Sequence, residues 1–575
     1  MNYTNERNVQ MLVYLLKAHG IKKVVASPGT TNVTFVASLQ NDPYFEIYSC
    51  VDERSAAYIA CGMAAESDEP VVLSCTGATA SRNYVPGLTE AFYRKLPILA
   101  VTSSRENYKI GHLQDQVTDR TCPMRDIAKI SVQIPSIHNK EEEWAYGVEI
   151  NKAILELHHR GAGPVHINIV TTYNWTFTTK EISPVRVIKR LTYKDSFPQL
   201  KDKRIAIYIG SHKNWRKDEL DKIDIFCEKY NAIVLYDVTS NYRGKYGIPL
   251  GLAQYYTDIQ KSIDVLIHLG EVAGFQANMN MKEVWRVNPD GEIRDLYCKL
   301  KYVFEIEEMY FFDYYNKAIS DINNTSFFAE WKEQRNHILA KMPELPFSNT
   351  WIGFNSLNFL PKSSILHLGI LNSLRSWSLL DLPQSVRTYS NTGGYGIDGG
   401  ISTLIGASLI DRKKLYFGIF GDLAFFYDLN SIGNHNVGNN VRIMLINNGR
   451  GVEFRLPSNP GSQFGDDTDK YIAAAGHYGN KSIDLVKHYS QDLGFNYLTA
   501  SDKDEFNKAA TIFFSENRFD KPIIFEVFVD YKNDVKAYEL INSIVLSAND
   551  KAKQIAKSVL GTKTINQIKK TLRKG

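Results

Sequence analysis

The sequence predicts an α/β fold of three doubly wound parallel-sheet domains, and three observations carry that expectation. Apolar runs such as residues 415–420 and 441–446 read as strands buried on both faces, the pattern of parallel sheets. Such runs alternate along the chain with helical stretches, as βα units require. Glycines and polar residues cluster where these runs end, at the edge where open α/β sheets bind ligands. A length of 575 residues with 44% hydrophobic content allows three or four buried cores.

In chain order, an amphipathic helix over residues 9–16 comes first. Strands are expected at 24–26, 45–51, 71–73, 98–101 and 164–170, with a small-residue helix at 56–65, and this first domain is set at residues 1–180. A second α/β unit, residues 181–345, carries strands at 204–210, 232–236, 265–270 and 285–288, then a charged helical stretch at 316–343. Its Gly210-Ser211-His212 turn lacks a full glycine fingerprint, so the unit reads as structural. The third domain, residues 346–548, holds the two apolar runs named above, a helix from Phe425 to about His435 between them, a strand at 523–529 and a helix at 535–546. A tail at 549–575 follows; from Asp550 onward it has eight Lys or Arg against one Asp. It reads as a solvated terminal helix or an oligomer contact, with an anionic membrane surface as the alternative.

Composition narrows the function classes. A net charge of +4 gives no general nucleic-acid surface. Six cysteines without a C-x-x-C pair, and the lack of a secretory signal, read as reduced thiols of a cytoplasmic protein. No apolar run is long enough to span a bilayer.

One cluster carries chemistry. Gly421-Asp422-Leu423-Ala424 ends the first apolar run, and Asn447-Asn448 closes the second, so both reach the carboxyl edge of one sheet. The helix between them favours phosphate oxygens at its amino end. Magnesium commonly bridges a carboxylate to phosphate, so Asp422, Asn448 and the carbonyl of Arg450 form a candidate metal shell beside a diphosphate. Far upstream, Asp52-Glu53-Arg54 joins a strand to a helix, where a carboxylate can also serve simply as a cap.

Together these motifs resemble the thiamine-diphosphate enzymes of the pyruvate decarboxylase and acetolactate synthase superfamily. The segments 26–29, 52–54, 163–168, 390–391 with 396–399, and 421–423 with 427–430 narrow the likeness to the SEPHCHC synthase branch of menaquinone synthesis. The resemblance covers the chain to about residue 548 and implies pyrimidine-binding, central and diphosphate-binding domains. It implies thiamine diphosphate and Mg2+ as cofactors, held by Glu53, Pro28, Asn372, Ser373, Ile397, Gly421, Asp422, Leu423, Ala424 and Asn448. Glu53 would hydrogen-bond a pyrimidine nitrogen and so promote loss of the thiazolium proton, while the cofactor carries the electrons released with carbon dioxide. Ile397 would wedge the two cofactor rings into a bent shape; the alternative is an ordinary core isoleucine.

Substrate-handling positions depart from the branch. Its arginines clamp carboxylates, since guanidinium suits planar anions. Here Thr30-Thr31-Asn32, Thr392 and Trp377 stand where three of them are expected, Arg375 lies nearby, and Arg105 matches a retained one. Each charge-assisted pair is worth about 1.5–3 kcal/mol, so a dicarboxylate should bind poorly and SEPHCHC synthesis is not the expected reaction. Gln114 matches a glutamine that reaches the reacting centre, or is a solvated loop residue. Glu453 could relay protons if an apolar pocket raises its pKa, or be a surface glutamate or cap. Phe454 packs on substrate or on the core, and the turn-rich loop 457–467 is placed to close over the site. His166, His477 and His488 read as structural.

The expected function is decarboxylation of a 2-oxo acid with transfer of the acyl carbanion to an acceptor, in a homodimer or homotetramer whose sites lie between subunits. Simple decarboxylation to an aldehyde, or a non-catalytic scaffold, are the alternatives.

Overall fold

Three exclusively parallel sheets with interspersed helices form the α/β fold in this computed structural model. It describes residues 2–172, 174–254, 263–276, 279–318, 325–476 and 482–545. The expectations for the basic tail and for His477 lie outside the described residues. The chain divides into two compact units, Met1–Phe197 with Val284–Ile306, and Pro198–Glu283 with Glu307–Gly575.

The first unit is built on β1 (Lys23–Ala26), β2 (Glu46–Ser49), β3 (Val71–Thr76), β4 (Ile98–Ser104), β5 (Ser131–Ile134) and β6 (Val165–Val170). Their order is β2-β1-β3-β4-β6-β5. The central strands β4 and β6 are buried along their whole length, and polar residues among them, Thr102, Ser104, His166 and Asn168, hydrogen-bond to one another. After β2 the chain returns past β1 to lay down β3, so the order reverses between β1 and β3. Ligands of open α/β sheets bind at such a reversal.

The middle sheet draws on β7 (Lys189–Leu191), β8 (Ile205–Ile209), β9 (Ala232–Tyr236), β10 (Gly247–Pro249), β11 (Ile263–Leu269), β12 (Met281–Val287) and β13 (Leu300–Phe304). In the second unit the strands neighbour one another as β10-β9-β8-β11, and in the first β13 lies between β7 and the 284–287 part of β12.

The last sheet holds β14 (Ile365–Leu368), β15 (Arg387–Tyr389), β16 (Tyr416–Gly421), β17 (Val441–Asn447), β18 (Asn496–Ala500) and β19 (Ile523–Phe528). Its order is β15-β14-β16-β17-β19-β18, with a reversal between β14 and β16. From its strands Phe417, Met444 and Phe525 form a core with Trp377 and Phe513 of the flanking helices, all without exposed surface. Large-to-small changes at such positions typically cost about 2–5 kcal/mol.

Several boundaries differ from the sequence expectation. The helix after β16 begins at Asp422 itself and ends at Tyr427, passing into 3-10 turns over Leu429–Gly433, instead of running from Phe425 to His435. Asp428 explains the stop: its carboxylate turns to accept from the N–H and hydroxyl of Ser402 at 2.6 and 2.7 Å. The stretch 316–343 contains parts of two helices, Glu308–Ala318 and Ser326–Ala340. The last α-helix among the described residues is Tyr531–Asn542, opened one turn earlier than expected by the cap of Asp530 on the Lys532 N–H.

Candidate cofactor and active site

β16 reads Tyr-Phe-Gly-Ile-Phe-Gly and is buried until its last residue, so it can only deliver its polar successor at the sheet edge. That successor is Asp422, 5% exposed, at the reversal between β14 and β16. Burial raises its carboxyl to about 7; the N–H groups of Leu423, Gly449 and Arg450 oppose the rise, and nearby Asp534 adds to it. A buried carboxyl in this state fits a cation. β17 runs beside β16 with Gly421 opposite Ile446, which brings Asn447 and Asn448 to the same edge.

The two asparagines divide the work. Asn447 turns inward and donates to Glu526 at 2.8 Å, a carboxylate that Tyr497 also holds at 2.8 Å. Asn448 donates through Nδ2 to Asp534 at 3.1 Å, while its Oδ1 accepts from the Arg450 N–H at 3.2 Å. Asp534 also caps the helix Asn349–Ser356 through the Asn349 N–H at 2.7 Å. Sequence reasoning missed Asp534. Its signal is position: Asp534, Ala537 and Ile541 form the buried stripe of their helix, so this acid sits where a core residue belongs.

After Asn448 the chain folds back over the site. The Gly451 N–H donates to the Ala473 carbonyl at 2.6 Å, and a Cβ on Gly451 would lie 3.2 Å from Leu423 and 3.3 Å from Phe454. Arg450 points its guanidinium away from Asp422, pairing with Asp469 and stacking 3.8 Å from the Tyr531 ring centroid. Its backbone N–H is the part that reaches Asp422 and the Asn448 Oδ1. The loop expected to close over the site is a run of 3-10 turns over Pro460–Asp467, tied down by Arg455.

From β14 come Asn372 and Ser373, which begin the helix Asn372–Trp377. Trp377 is fully buried, so its side chain serves the core and not a substrate. Arg375 pairs with Glu453 at 2.8 Å. The apolar pocket expected around Glu453 is therefore occupied by a guanidinium. From β15, Thr392 is buried, and Ile397 lines a small cavity with His367, Asn391, Phe420 and Ala424. Tyr395, unnoticed in the sequence, donates its hydroxyl to the Gly274 carbonyl. Asp237 fixes that carbonyl's loop by accepting from the N–H groups of Gly274 and Phe275 at 3.2 and 2.9 Å.

In the first unit Asp52 is the helix cap, accepting from the N–H groups of Arg54 and Ser55 at 3.3 Å each. Its carboxyl is held low by the Ser55 hydroxyl and these amides. Glu53 is thereby relieved of capping; it begins the helix Glu53–Ser67, half-buried, and accepts from Asn83 Nδ2 at 3.0 Å. The Pro28-Gly29 turn follows β1. Only glycine fits at 29, because a Cβ there would meet Thr76 at 1.9 Å. Thr31 and Asn32 are buried and donate to the Ser103 and Ser27 carbonyls, both at 2.9 Å, so these replacements of an expected arginine hold the turn.

Arg105 pairs with Asp115 at 3.3 Å. Gln114 is half-buried in an irregular segment where Leu113 and Gln116 both adopt left-handed backbone, φ 57°. Beneath lies a polar network the sequence did not disclose. Arg120 reaches the Gly77 carbonyl and Asn168, and Asn168 meets Thr102, which holds His166. Burial lowers Arg120 to about 10 and His166 to about 4. His166 lies buried in this network, whereas His488 is exposed.

Comparisons with known proteins agree with this geometry. A family model described as thiamine pyrophosphate enzyme, N-terminal TPP binding domain, matches residues 7–122, which contain Pro28, Glu53, Arg105 and Gln114. The chain is 31% identical over 559 residues to the 2-succinyl-5-enolpyruvyl-6-hydroxy-3-cyclohexene-1-carboxylate synthase of Bacteroides fragilis, covering 93% of this chain and 98% of that protein. The synthase of Phocaeicola vulgatus is 31% identical over 563 residues, with 92% and 97% covered. That of Christiangramia forsetii is 27% identical over 608 residues, with 94% and 99% covered. The chain therefore belongs to the thiamine-diphosphate-dependent enzymes, in the family of the 2-succinyl-5-enolpyruvyl-6-hydroxy-3-cyclohexene-1-carboxylate synthases.

Proposed function

We propose that this enzyme uses thiamine diphosphate with Mg2+ to decarboxylate a 2-oxo acid and to transfer the acyl unit to an acceptor. One observation carries the reading: a buried carboxyl, Asp422, raised to about 7, stands beside an oriented Asn448 amide at a sheet reversal. A divalent cation bridging to a diphosphate is the partner such a carboxyl needs. Thiamine diphosphate, when bound, supplies the electron sink for loss of carbon dioxide.

The chain's own residues take these roles. Asp422, the Asn448 Oδ1 and the Arg450 carbonyl hold the cation, with Gly421, Leu423, Ala424, Asn372 and Ser373 around the diphosphate. Pro28 shapes the pyrimidine side, where Glu53 Oε1 is left for the ring nitrogen because Asn83 engages Oε2. Ile397 supports the ring junction. Gln114 and Glu453 position the reacting carbonyl and hold protons there; Arg105, Thr392 and Phe454 meet the substrate.

Two chains complete each site, Glu53 from one and Asp422 from its partner, in a homodimer or homotetramer of the cytoplasm. Domain boundaries near residues 180, 345 and 548 accompany this arrangement. The replacement of carboxylate-clamping arginines by Thr31, Asn32, Thr392 and Trp377 favours a monocarboxylic donor such as pyruvate over the dicarboxylic donor of the relatives.

The test is a panel of 2-oxo acids, each incubated with purified protein, thiamine diphosphate and Mg2+, with and without aldehyde, ketone or enone acceptors. Carbon dioxide release with a condensed product supports the reading. Free aldehyde under all conditions reduces it to simple decarboxylation, and silence across the panel contradicts it.

A further inference from the structure

We infer that Arg375 and Glu453 form a charge-neutral subsite that takes an uncharged oxygen acceptor of the substrate and refuses a second carboxylate. Its place in catalysis rests on the reaction proposed above. The strand order β14-β16-β17 sets the geometry. Arg375 lies on the helix after β14, Glu453 in the Val452–Arg455 turn after β17, and Asp422 begins the helix after β16 between them. The pair thus bridges the two flanks of Asp422, with 2.8 Å between Nη2 and Oε2.

Four features make it a subsite and not a surface ion pair. The side chains retain 26% and 19% exposure, so both are mostly buried yet still reachable from solvent. Trp377, two residues beyond Arg375, is fully buried and fixes the origin of the guanidinium. Arg375 Nη1 is buried and has no hydrogen-bond partner among the described residues, leaving a donor for a ligand. Tyr395, two residues before Ile397, feels the charges of both members, so the pair borders the Ile397 loop.

Charge decides what such a donor accepts. Glu453 cancels Arg375, so an entering carboxylate gains no net cation and meets the negative charge of Glu453. A hydroxyl or carbonyl oxygen can still accept from Nη1 without that repulsion. Removing the Glu453 charge turns the same guanidinium into a carboxylate anchor.

The experiment titrates protein loaded with thiamine diphosphate and Mg2+ with pyruvate and with 2-oxoglutarate by calorimetry, and follows carbon dioxide release in parallel. Glu453→Gln is expected to raise the affinity for 2-oxoglutarate relative to pyruvate at least tenfold, with Glu453→Ala behaving alike. The double variant Arg375→Gln/Glu453→Gln should lose the gain. An unchanged ratio in both single variants, no measurable 2-oxoglutarate binding to either, or a gain that survives loss of Arg375, overturns the subsite. A shifted ratio in the variants together with no carbon dioxide release by the wild-type protein from any donor leaves the subsite standing and overturns the reaction instead.

Discussion

Asp534 accepts the Asn448 amide at 3.1 Å, and this contact decides which face of Asn448 can meet a ligand. With Nδ2 committed to Asp534, the Oδ1 must face the Arg450 N–H and the Asp422 side. Outer partners of metal ligands commonly matter 10–100-fold in affinity. Asp534 has a second duty at the Asn349 N–H, and an amide cannot serve both donors with one oxygen as a carboxylate does. Asp534→Asn should therefore weaken Mg2+-supported cofactor uptake about tenfold or more. Calorimetric titration reads this, and unchanged uptake would remove Asp534 from the site.

Acid should destabilise the protein through His166. Its Nε2 meets Thr102 and its Nδ1 meets Ser131, each at 2.8 Å, inside the β4-β6-β5 layer. Burial lowers its pKa to about 4 from the ordinary 6.5. The unfolded chain then binds more protons between these values, so stability present above pH 6.5 is lost as pH falls toward 4. The slope is at most about 1.4 kcal/mol per pH unit. Buried His367, also lowered to about 4, acts in the same direction. His166→Gln should flatten the fall in melting temperature between pH 7 and 5; an identical fall would assign the acid sensitivity elsewhere.

Much of this was legible because the sheets are buried. Strands β16 and β17 are predominantly apolar, broken in β17 by the buried Arg442, and the residues that follow them are the candidate ligands, so Asp422 and Asn448 could be read from order alone. Short strands were harder. β5 (Ser-Val-Gln-Ile) lies at a sheet edge with alternating burial, and β7 and β10 have three residues each, too few for a period to emerge. Asp422 as the first residue of its helix was hidden because the helix starts directly after the strand's last residue, Gly421, with no loop between them. Pairings between distant segments left no local trace: Arg375 with Glu453, Asn448 with Asp534 and Glu53 with Asn83 join residues 78, 86 and 30 positions apart. A lone acid or arginine on a helix reads as solvated until its partner is seen.

Complementation tests the shared site. Glu53→Gln and Asp422→Ala should each abolish turnover. Mixed after subunit exchange, half of the dimers pair the two variants, and each such dimer regains one intact site. About a quarter of wild-type activity should return. A mixture as inactive as its parents would place Glu53 and Asp422 of one chain in the same site.

Cofactor uptake is the most direct measurement of the central claim. Wild-type protein titrated with thiamine diphosphate and Mg2+ at pH 8 should bind one equivalent per chain. The affinity should fall at pH 6, where a proton competes for a carboxyl raised to about 7. Asp422→Ala should lose this uptake at both pH values. Saturable uptake by Asp422→Ala equal to wild type, or none by wild type, would contradict the account.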